Sequence, residues 1–243
     1  MERNGFISEL RRVFSLCGIG ELLFEEAESR LFRLSEYLVS ENEKYNLTAV
    51  TDCPGIILRH LADSASLSPL LREGASLLDV GCGAGFPSLV LAILRPDLRV
   101  SALDATEKRV RYVASAAELL GLSNLTAICL RAEDGARGEM RESFDFVTAR
   151  AVARLPILAE LCLPYVRVGG SFLAMKGSGG ELELSEAGKA ISVLGGKIEQ
   201  VRESTLSDGQ GETLTRMIAE IRKISHTPAL YPRHFSKISK KPL

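Results

Sequence analysis

The sequence predicts an α/β fold in which a mostly parallel, doubly wound sheet follows an N-terminal helical cap. Two observations lead to this fold class. From Ser76 onward, short β-type runs alternate with helical segments, whereas the chain before that point has the pattern of helices throughout. With 243 residues, the chain is long enough for one large domain with a modest appendage.

The predicted cap, residues 1–72, is defined by apolar residues at helical spacing. One amphipathic stripe is formed by Ala27, Leu31, Leu34 and Leu38. A loop is predicted around residues 52–55, which contain Pro54 and Gly55, and a further helix is predicted over residues 56–70. The sequence therefore predicts an all-helical segment ahead of the sheet.

The sheet domain is predicted to span residues 73–224. Five β-type runs occupy residues 77–80, 100–103, 125–130, 144–148 and 171–175. A helical stripe between the second and third runs consists of Val110, Val113, Ala117 and Leu120. Two last strand candidates, 197–206 and 213–221, flank the polar turn 207–211, which is short enough for a hairpin. This order predicts a parallel sheet that finishes with an antiparallel strand.

Composition describes a globular protein without a strong overall charge. Apolar residues make up 46% and charged residues 25%, and the net charge is −1. That charge argues against non-specific binding of nucleic acid over the whole surface. No acidic residue follows Glu220, so residues 225–243 form a predicted basic C-terminal tail. The tail is interpreted either as a phosphate-contacting segment or as a solvated terminus.

Targeting and metal-binding signals are not found in the sequence. The first 14 residues are too charged for a signal peptide, and the best apolar run, residues 89–94, is far too short for a membrane span. The five cysteines include no C-x-x-C pair, so no metal site is expected. We therefore expect a cytoplasmic location, no membrane contact and no obligate protein partner.

The main sequence motif is a glycine loop directly after the first predicted strand. Asp79 is followed by glycines at alternate positions, namely Gly81, Gly83 and Gly85, and then by Phe86. Glycines let the backbone turn sharply and let a ligand approach it closely. Dinucleotide enzymes use G-x-G-x-x-G at this place, but the third glycine here comes one residue early. The spacing instead resembles the class I (Rossmann-like) methyltransferase motif, with Asp79 near the ammonium of S-adenosylmethionine.

Acidic residues also follow the next two strands. Asp104 ends the second strand, where a carboxylate can accept both ribose hydroxyls of a nucleoside. Either Glu133 or Asp134, after the third strand, is a candidate to receive the adenine amino group in a methyltransferase. Carboxyl ends of parallel strands share one edge of a sheet, so these groups and the glycine loop are expected to meet there.

Several sequence blocks in series resemble one family, the RsmG (GidB) methyltransferases. They are residues 45–50 (YNLTAV), 59–64 (RHLADS), 79–87 (DVGCGAGFP), 103–110 (LDATEKRV), 148–153 (TARAVA) and 176–177 (KG), with a similar tail at 231–233 and 240–243. The resemblance covers essentially the whole chain. Cys82 replaces the family's usual Ser or Thr, and Ser88 replaces a usual Gly.

The resemblance implies S-adenosylmethionine as cofactor and transfer of its methyl group to N7 of one guanosine in bacterial 16S rRNA, free or in the small ribosomal subunit. By position, it implies that the cofactor residues are Gly81, Phe86, Asp104, Ala105, Thr106, Ala132, Glu133 and Arg150. Guanine N7 carries a lone pair and no proton, so no general base is expected, and Arg150 is the candidate for orienting cofactor or guanine.

RNA contacts are predicted at Arg59, His60, Lys176, Arg233, Lys240 and Lys241. Lys176 is equally compatible with closing its strand, and His60 with a structural role that bridges the cap to the pocket. Phe86 and Phe235 are possible stacking partners for a base, whereas Lys108 and Arg109 are expected on a solvated helix face.

Two other functions are compatible with parts of this pattern. A non-catalytic RNA-binding factor of ribosome assembly could retain a cofactor pocket. An NAD-dependent oxidoreductase is disfavoured by the glycine spacing and by the lack of an evident set of hydride-transfer residues.

Overall fold

The computed structural model describes residues 2–243 and has one seven-stranded sheet in the order β3-β2-β1-β4-β5-β7-β6. The strands are β1 (Ser76–Val80), β2 (Arg99–Asp104), β3 (Leu125–Cys129), β4 (Phe144–Arg150), β5 (Val166–Lys176), β6 (Gly196–Ser207) and β7 (Thr213–Lys223). Neighbouring strands are parallel except where β7 pairs with β5 and β6. The predicted strands and hairpin are confirmed; the antiparallel strand lies inside the sheet, between β5 and the edge strand β6.

Ten α-helical segments accompany the sheet within residues 2–243. They are α1 (Arg3–Leu16), α2 (Glu25–Tyr45), α3 (Cys53–Gly55), α4 (Asp63–Ala65), α5 (Ser88–Leu94), α6 (Glu107–Leu120), α7 (Ala132–Gly135), α8 (Leu155–Cys162), α9 (Gly180–Val193) and α10 (Phe235–Lys240). A π-helical stretch, Ile56–Ala62, joins α3 to α4, and 3₁₀ turns occupy Gly20–Leu22, Ser68–Leu70 and Leu163–Tyr165. None of these helices combines the length and apolarity that a membrane span needs.

The helix after the cap's long helix begins earlier than predicted. The sequence placed a loop around residues 52–55, but Cys53–Gly55 is already helical. Asp52 is the reason, because its Oδ2 accepts a hydrogen bond from the Gly55 amide at 2.8 Å and so caps the helix start. The predicted loop is therefore wrong at its C-terminal end.

The helical cap packs into the same core as α5 and α6. Leu31, Leu34 and Leu38 of α2 are fully buried in a hydrophobic cluster that continues into both sheet helices. The rings of Tyr37 and Tyr112 stack with centroids 5.4 Å apart, joining α2 to α6. The predicted boundary at residue 72 thus separates elements along the chain but not two hydrophobic cores.

A second hydrophobic cluster includes residues of α8, α9 and the C-terminal segment. Successive residues of β1 contribute to different clusters, since Leu77 belongs to the first and Leu78 to the second, as expected for a sheet covered on both faces. Ile238 of α10 is fully buried in the second cluster. The C-terminal segment is therefore packed against the domain at this helix and is not a wholly solvated tail.

The strand order creates a switch point between β1 and β4. The chain runs from β1 to β2 and β3 on one side, then crosses back so that β4 pairs with the other edge of β1. A crevice forms at the carboxyl ends of the strands around such a point, and open α/β sheets bind their ligands there.

Candidate cofactor and substrate site

A cavity of about 1030 Å³ opens at this switch point. This volume lies at the upper end of the range of small-molecule pockets, roughly 300–1,000 Å³, and leaves space for more than one bound group. Its walls come from the cap, the glycine loop, the ends of β2, β4 and β5, strand β7 and the start of α10. The predicted site residues that line it are Gly81, Gly83, Phe86, Asp104, Ala105, Ala132, Glu133, Arg150, Arg59, His60 and Lys176.

The glycine loop gives the cavity an open floor. All three glycines have left-handed backbones, with φ of 74° at Gly81, 57° at Gly83 and 81° at Gly85. A Cβ added to Gly83 would meet no atom closer than 3.9 Å, whereas one on Gly85 would lie 2.3 Å from Cδ1 of Leu89. Gly81 and Gly83 both line the cavity, but only Gly83 has open space, since a Cβ on Gly81 would lie 2.6 Å from Cγ2 of Val152. Gly85 serves the close packing of the loop against α5.

Asp79, the acidic residue of the motif, does not line the cavity. It is fully buried, and its Oδ2 accepts a hydrogen bond from the amide of Ser88, the first residue of α5, at 3.1 Å. Burial raises the pKa of this carboxyl to about 6. The structure thus places Asp79 beneath the loop at the start of α5, away from the position expected for a direct ligand to the cofactor's ammonium.

Asp104 stands at the cavity end of β2. Its two oxygens accept hydrogen bonds from the amides of Gly83 at 3.1 Å and Thr106 at 2.8 Å, which fixes the carboxylate beside the glycine loop. Ala105 lines the cavity, whereas Thr106 is not among the lining residues and contributes the backbone amide that binds Asp104. Arg109 is 44% exposed, in agreement with the predicted solvated helix face, and its Nη1 lies 3.5 Å from Asp104, where it also lines the cavity.

Glu133, not Asp134, faces the cavity at the end of β3. Glu133 is 5% exposed and accepts hydrogen bonds from Nε of Arg131 at 3.1 Å and from the amide of Phe235 at 3.4 Å. The guanidinium of Arg131 lies over the Phe235 ring, 5.7 Å from its centroid. Asp134 points elsewhere and lies 3.7 Å from Arg137 in a half-exposed pair.

Two arginines converge on one buried carboxylate where the cap meets the sheet. Asp63 accepts from Nη1 of Arg150 at 2.9 Å and from Nε of Arg216 at 2.7 Å, and its side chain is 2% exposed. Arg150 also donates to the carbonyl of Arg59 at 2.8 Å. The cap is thereby tied to β4 and β7 at the cavity wall.

His60 links this cluster to the glycine loop. Its ring stacks on Phe86 with centroids 4.5 Å apart, and its Nε2 lies 2.9 Å from Oγ1 of Thr48. Burial and the neighbouring charge of Arg150 lower its pKa to about 4. His60 is therefore neutral near pH 7 and lies between the cap and the pocket, which fits the structural role that the sequence left as an alternative to an RNA contact.

The other predicted RNA contacts differ in how free their charges are. Lys176 is nearly buried, donating to the carbonyl of Ala153 at 2.7 Å and pairing with Glu183 at 2.8 Å. Arg233 is held against Glu160, which has no exposed surface. Lys240 lines a smaller cavity beside the main one, and Lys241 is exposed.

The cavity is lined by more cations than carboxylates. The cavity is lined by four carboxylates, those of Asp63, Asp104, Glu133 and Glu183, against seven cations, those of Arg59, Arg109, Arg131, Arg150, Arg154, Lys176 and Arg216. Two of these cations, Arg59 and Arg154, pair with Glu212 and Glu186, which are not among the lining residues, so an excess of one positive charge is left. A positive excess favours an anionic substrate.

Sequence reasoning missed Arg216 and Arg154 as cavity residues. Arg216 lies two residues from both Leu214 and Ile218 on β7, and both of these pack against the first core cluster. A charged residue on the otherwise apolar face of a strand was the sequence signal that could have identified Arg216 as a site residue. Arg154 follows β4 without such a signal, and its place at the cavity comes from the fold alone.

Solved structures of S-adenosylmethionine-dependent methyltransferases share this fold. A methyltransferase from Aquifex aeolicus matches with a TM-score of 0.51 and 22% identity, covering 75% of this chain and 97% of that one. TYW2 from M. jannaschii, solved in complex with AdoMet, matches with a TM-score of 0.52 and 15% identity, covering 67% and 75%. The open glycine floor, with Asp104 and Glu133 at neighbouring strand ends, fits this cofactor. The fold is that of the class I methyltransferases.

Sequence comparison narrows the class to one family. The family model described as rRNA small subunit methyltransferase G matches residues 27–210. Proteins named ribosomal RNA small subunit methyltransferase G are 48% identical in Geobacillus kaustophilus (strain HTA426), over 92% of this chain and 94% of that protein, and 43% identical in Clostridium beijerinckii, over 93% and 94%. The chain belongs to the rRNA small subunit methyltransferase G family.

Proposed function

We propose that this protein transfers the methyl group of S-adenosylmethionine to N7 of one guanosine in bacterial 16S rRNA. Membership of the rRNA small subunit methyltransferase G family is the observation that carries the proposal. The positive excess of the cavity agrees with it, because RNA is a polyanion.

The cofactor would be held along the carboxyl ends of β1, β2 and β3. Asp104, already fixed by two backbone amides, would accept the ribose hydroxyls. Glu133 would accept the adenine amino group, with Ala132 beside it. Gly83 would leave room for the amino-acid end of the cofactor, and Gly81 lines the cavity beside it.

No side chain in the cavity is arranged as a strong general base. Asp63 and Glu183 are occupied by cationic partners, and His60 has a pKa of about 4. Nitrogen N7 of guanine has no proton to lose, so its lone pair can attack a methyl group directly. The cofactor supplies a methyl carbon already activated by the sulfonium, and the residues of this chain would act by aligning the base with it.

The decisive experiment uses purified protein, radiolabelled S-adenosylmethionine and small ribosomal subunits from cells that lack the native family member. After digestion of the RNA, we expect label in N7-methylguanosine from a single site. Label in another nucleoside would overturn the proposed position of methylation. Binding of the subunit without any labelled nucleoside would identify a non-catalytic assembly factor instead.

Asp104→Ala separates catalysis from RNA association in the same assay. This variant should lose cofactor binding and methyl transfer, because the ribose hydroxyls lose a charged acceptor. Its affinity for the small subunit should stay near that of the wild-type protein. Tight binding of NADH by the wild-type protein, measured by calorimetry, would contradict the proposal.

A further inference from the structure

The cluster of Asp63, Arg150 and Arg216 has one more positive charge than negative charge. Both guanidiniums bind the same carboxylate, through distances of 2.9 and 2.7 Å to its two oxygens. The arginine side chains are only 18% and 23% exposed, so water solvates the extra charge incompletely. A partly buried cation without a counterion is unfavourable, which indicates that an anion completes the cluster.

Neighbouring groups of the protein do not supply this anion. His60, which lies against Arg150, titrates well below neutral pH and bears no negative charge in any state. Glu212 pairs with Arg59 at 2.5 Å, and Glu183 pairs with Lys176 at 2.8 Å. These two carboxylates are therefore already matched to other cations, and the buried carboxylate of Asp79 lies beneath the glycine loop, where its Oδ2 accepts a hydrogen bond from the Ser88 amide.

Arg216 has the free donors that an anion could use. Arg150 directs Nη1 at two protein acceptors, Asp63 and the carbonyl of Arg59. Arg216 donates from Nε to Asp63 and from Nη1 to the carbonyl of Thr215, and its Nη2 has no protein acceptor within residues 2–243. Since Arg216 lines the cavity, this guanidinium edge is available to a ligand.

We propose that Arg216 binds a backbone phosphate of the RNA next to the target nucleotide, with Asp63 as the residue that positions it. This inference rests on the proposed function. S-adenosylmethionine carries a sulfonium and an ammonium against one carboxylate, so its net charge does not supply the missing anion, and guanine is neutral. A phosphodiester is the anionic group of an RNA substrate, and a guanidinium binds it through a fork of donors.

The test measures binding of small ribosomal subunits at several salt concentrations, in the presence of S-adenosylhomocysteine so that no transfer occurs. Each phosphate contact contributes roughly 0.7–0.9 to the slope of log Kd against log salt. Arg216→Gln should reduce the slope by about this amount and weaken binding about 5- to 20-fold at low salt. Arg216→Lys, which keeps the charge, should retain most of the slope. In turnover, KM for the subunit should rise more than kcat falls.

Arg202→Gln is the matched control, because Arg202 is on the neighbouring strand β6, is 43% exposed and does not line the cavity. It should leave slope and affinity unchanged. Calorimetry with S-adenosylhomocysteine should give wild-type affinity for Arg216→Gln. If Arg216→Gln keeps the wild-type salt slope, the phosphate contact is overturned. This holds even if the affinity of the variant for the small subunit falls, because loss of a neutral base contact or of cofactor binding would lower the affinity without changing the slope. Methyl transfer to the small subunit by the wild-type protein is measured in parallel. If the wild-type protein methylates the RNA, a wild-type slope for Arg216→Gln counts against the phosphate contact and not against the proposed function.

Discussion

Glu133 and Asp134 are neighbouring acidic residues in the short helix α7, yet their side chains have different surroundings. Glu133 is nearly buried at the cavity, where Arg131 and the amide of Phe235 orient it. Asp134 is half exposed and lies outside the main cavity. The sequence left these two residues as alternatives for the adenine contact, and the structure favours Glu133.

We predict that Glu133→Ala weakens binding of S-adenosylmethionine about 10- to 100-fold, as loss of a hydrogen bond to a charged group costs about 1.5–3 kcal/mol. Asp134→Ala should bind the cofactor like the wild-type protein. Isothermal titration calorimetry on both variants measures the difference. Equal losses of cofactor affinity in the two variants would indicate that the negative charge of α7 as a whole, and not the Glu133 carboxylate, contributes to binding.

His60 makes the stability of the protein depend on pH. Its pKa is about 4 in the folded protein, against an ordinary value of 6.5. Folding therefore favours the neutral ring, so this contribution to stability is complete above pH 6.5 and is lost as the pH falls through 4. The shift corresponds to about 3 kcal/mol.

We predict that His60→Gln loses less stability than the wild-type protein between pH 7 and pH 4, because it has no ring to protonate. Urea unfolding at a series of pH values gives the difference directly. His234→Gln is the control, since His234 is exposed, and it should follow the wild-type curve. Parallel curves for wild type and His60→Gln would show that protonation of His60 does not oppose folding.

At the scale of elements, the glycine loop joins β1 to α5 through positions with different requirements. Gly83 needs a left-handed backbone and open space, whereas Gly85 needs a left-handed backbone and the absence of a side chain next to Leu89. Glycine is therefore required for ligand access at position 83 and for packing against α5 at position 85.

Gly85→Ala should destabilise the protein more than Gly121→Ala. Gly121 also has a left-handed backbone, with φ of 66°, but a Cβ there meets no atom within 4 Å. Its substitution thus reports backbone strain alone, about 1–2 kcal/mol. The clash with Leu89 should add about 1–3 kcal/mol in Gly85→Ala. Chemical denaturation measures both, and equal losses would mean that the loop relaxes around the added methyl group.

At the scale of the whole molecule, the C-terminal segment is part of the folded domain. Glu160 of α8 has no exposed surface, and Arg233 satisfies it with its amide at 2.8 Å and its guanidinium Nη2 at 2.6 Å. Burial of the pair joins residues that are 73 positions apart. Arg233 was a predicted RNA contact, and its engagement with Glu160 favours a structural role.

We predict that Arg233→Ala reduces the free energy of unfolding by about 3–5 kcal/mol, because it leaves a buried carboxylate without its partner. Replacing both residues, Glu160→Leu with Arg233→Met, should recover much of the loss. Lys241→Ala, at an exposed position, should leave stability unchanged. Unchanged stability of Arg233→Ala, together with weaker RNA binding, would return Arg233 to the RNA-contacting set.

The sequence was a reliable guide where local patterns decide the structure. Short β-type runs predicted all seven strands, and the position of Asp104 after the second strand predicted its place beside the glycine loop. It was a poorer guide for Asp79, and for Arg109 it indicated the exposure of the side chain but not its position at the cavity. Spacing reports that a residue lies near a motif, but burial beneath the loop or exposure to the cavity depends on packing against α5 and α6.

The sequence by itself determined the fold class, the glycine loop and the family, because each depends on residues close together in the chain or on ordered motif blocks. Only the tertiary structure decided how the substrate side of the cavity is built. Asp63 and Arg216 are 153 positions apart, and Asp63 and Arg150 are 87 apart. No local pattern encodes such contacts, since they exist only when the cap and β7 close around the same edge of the sheet.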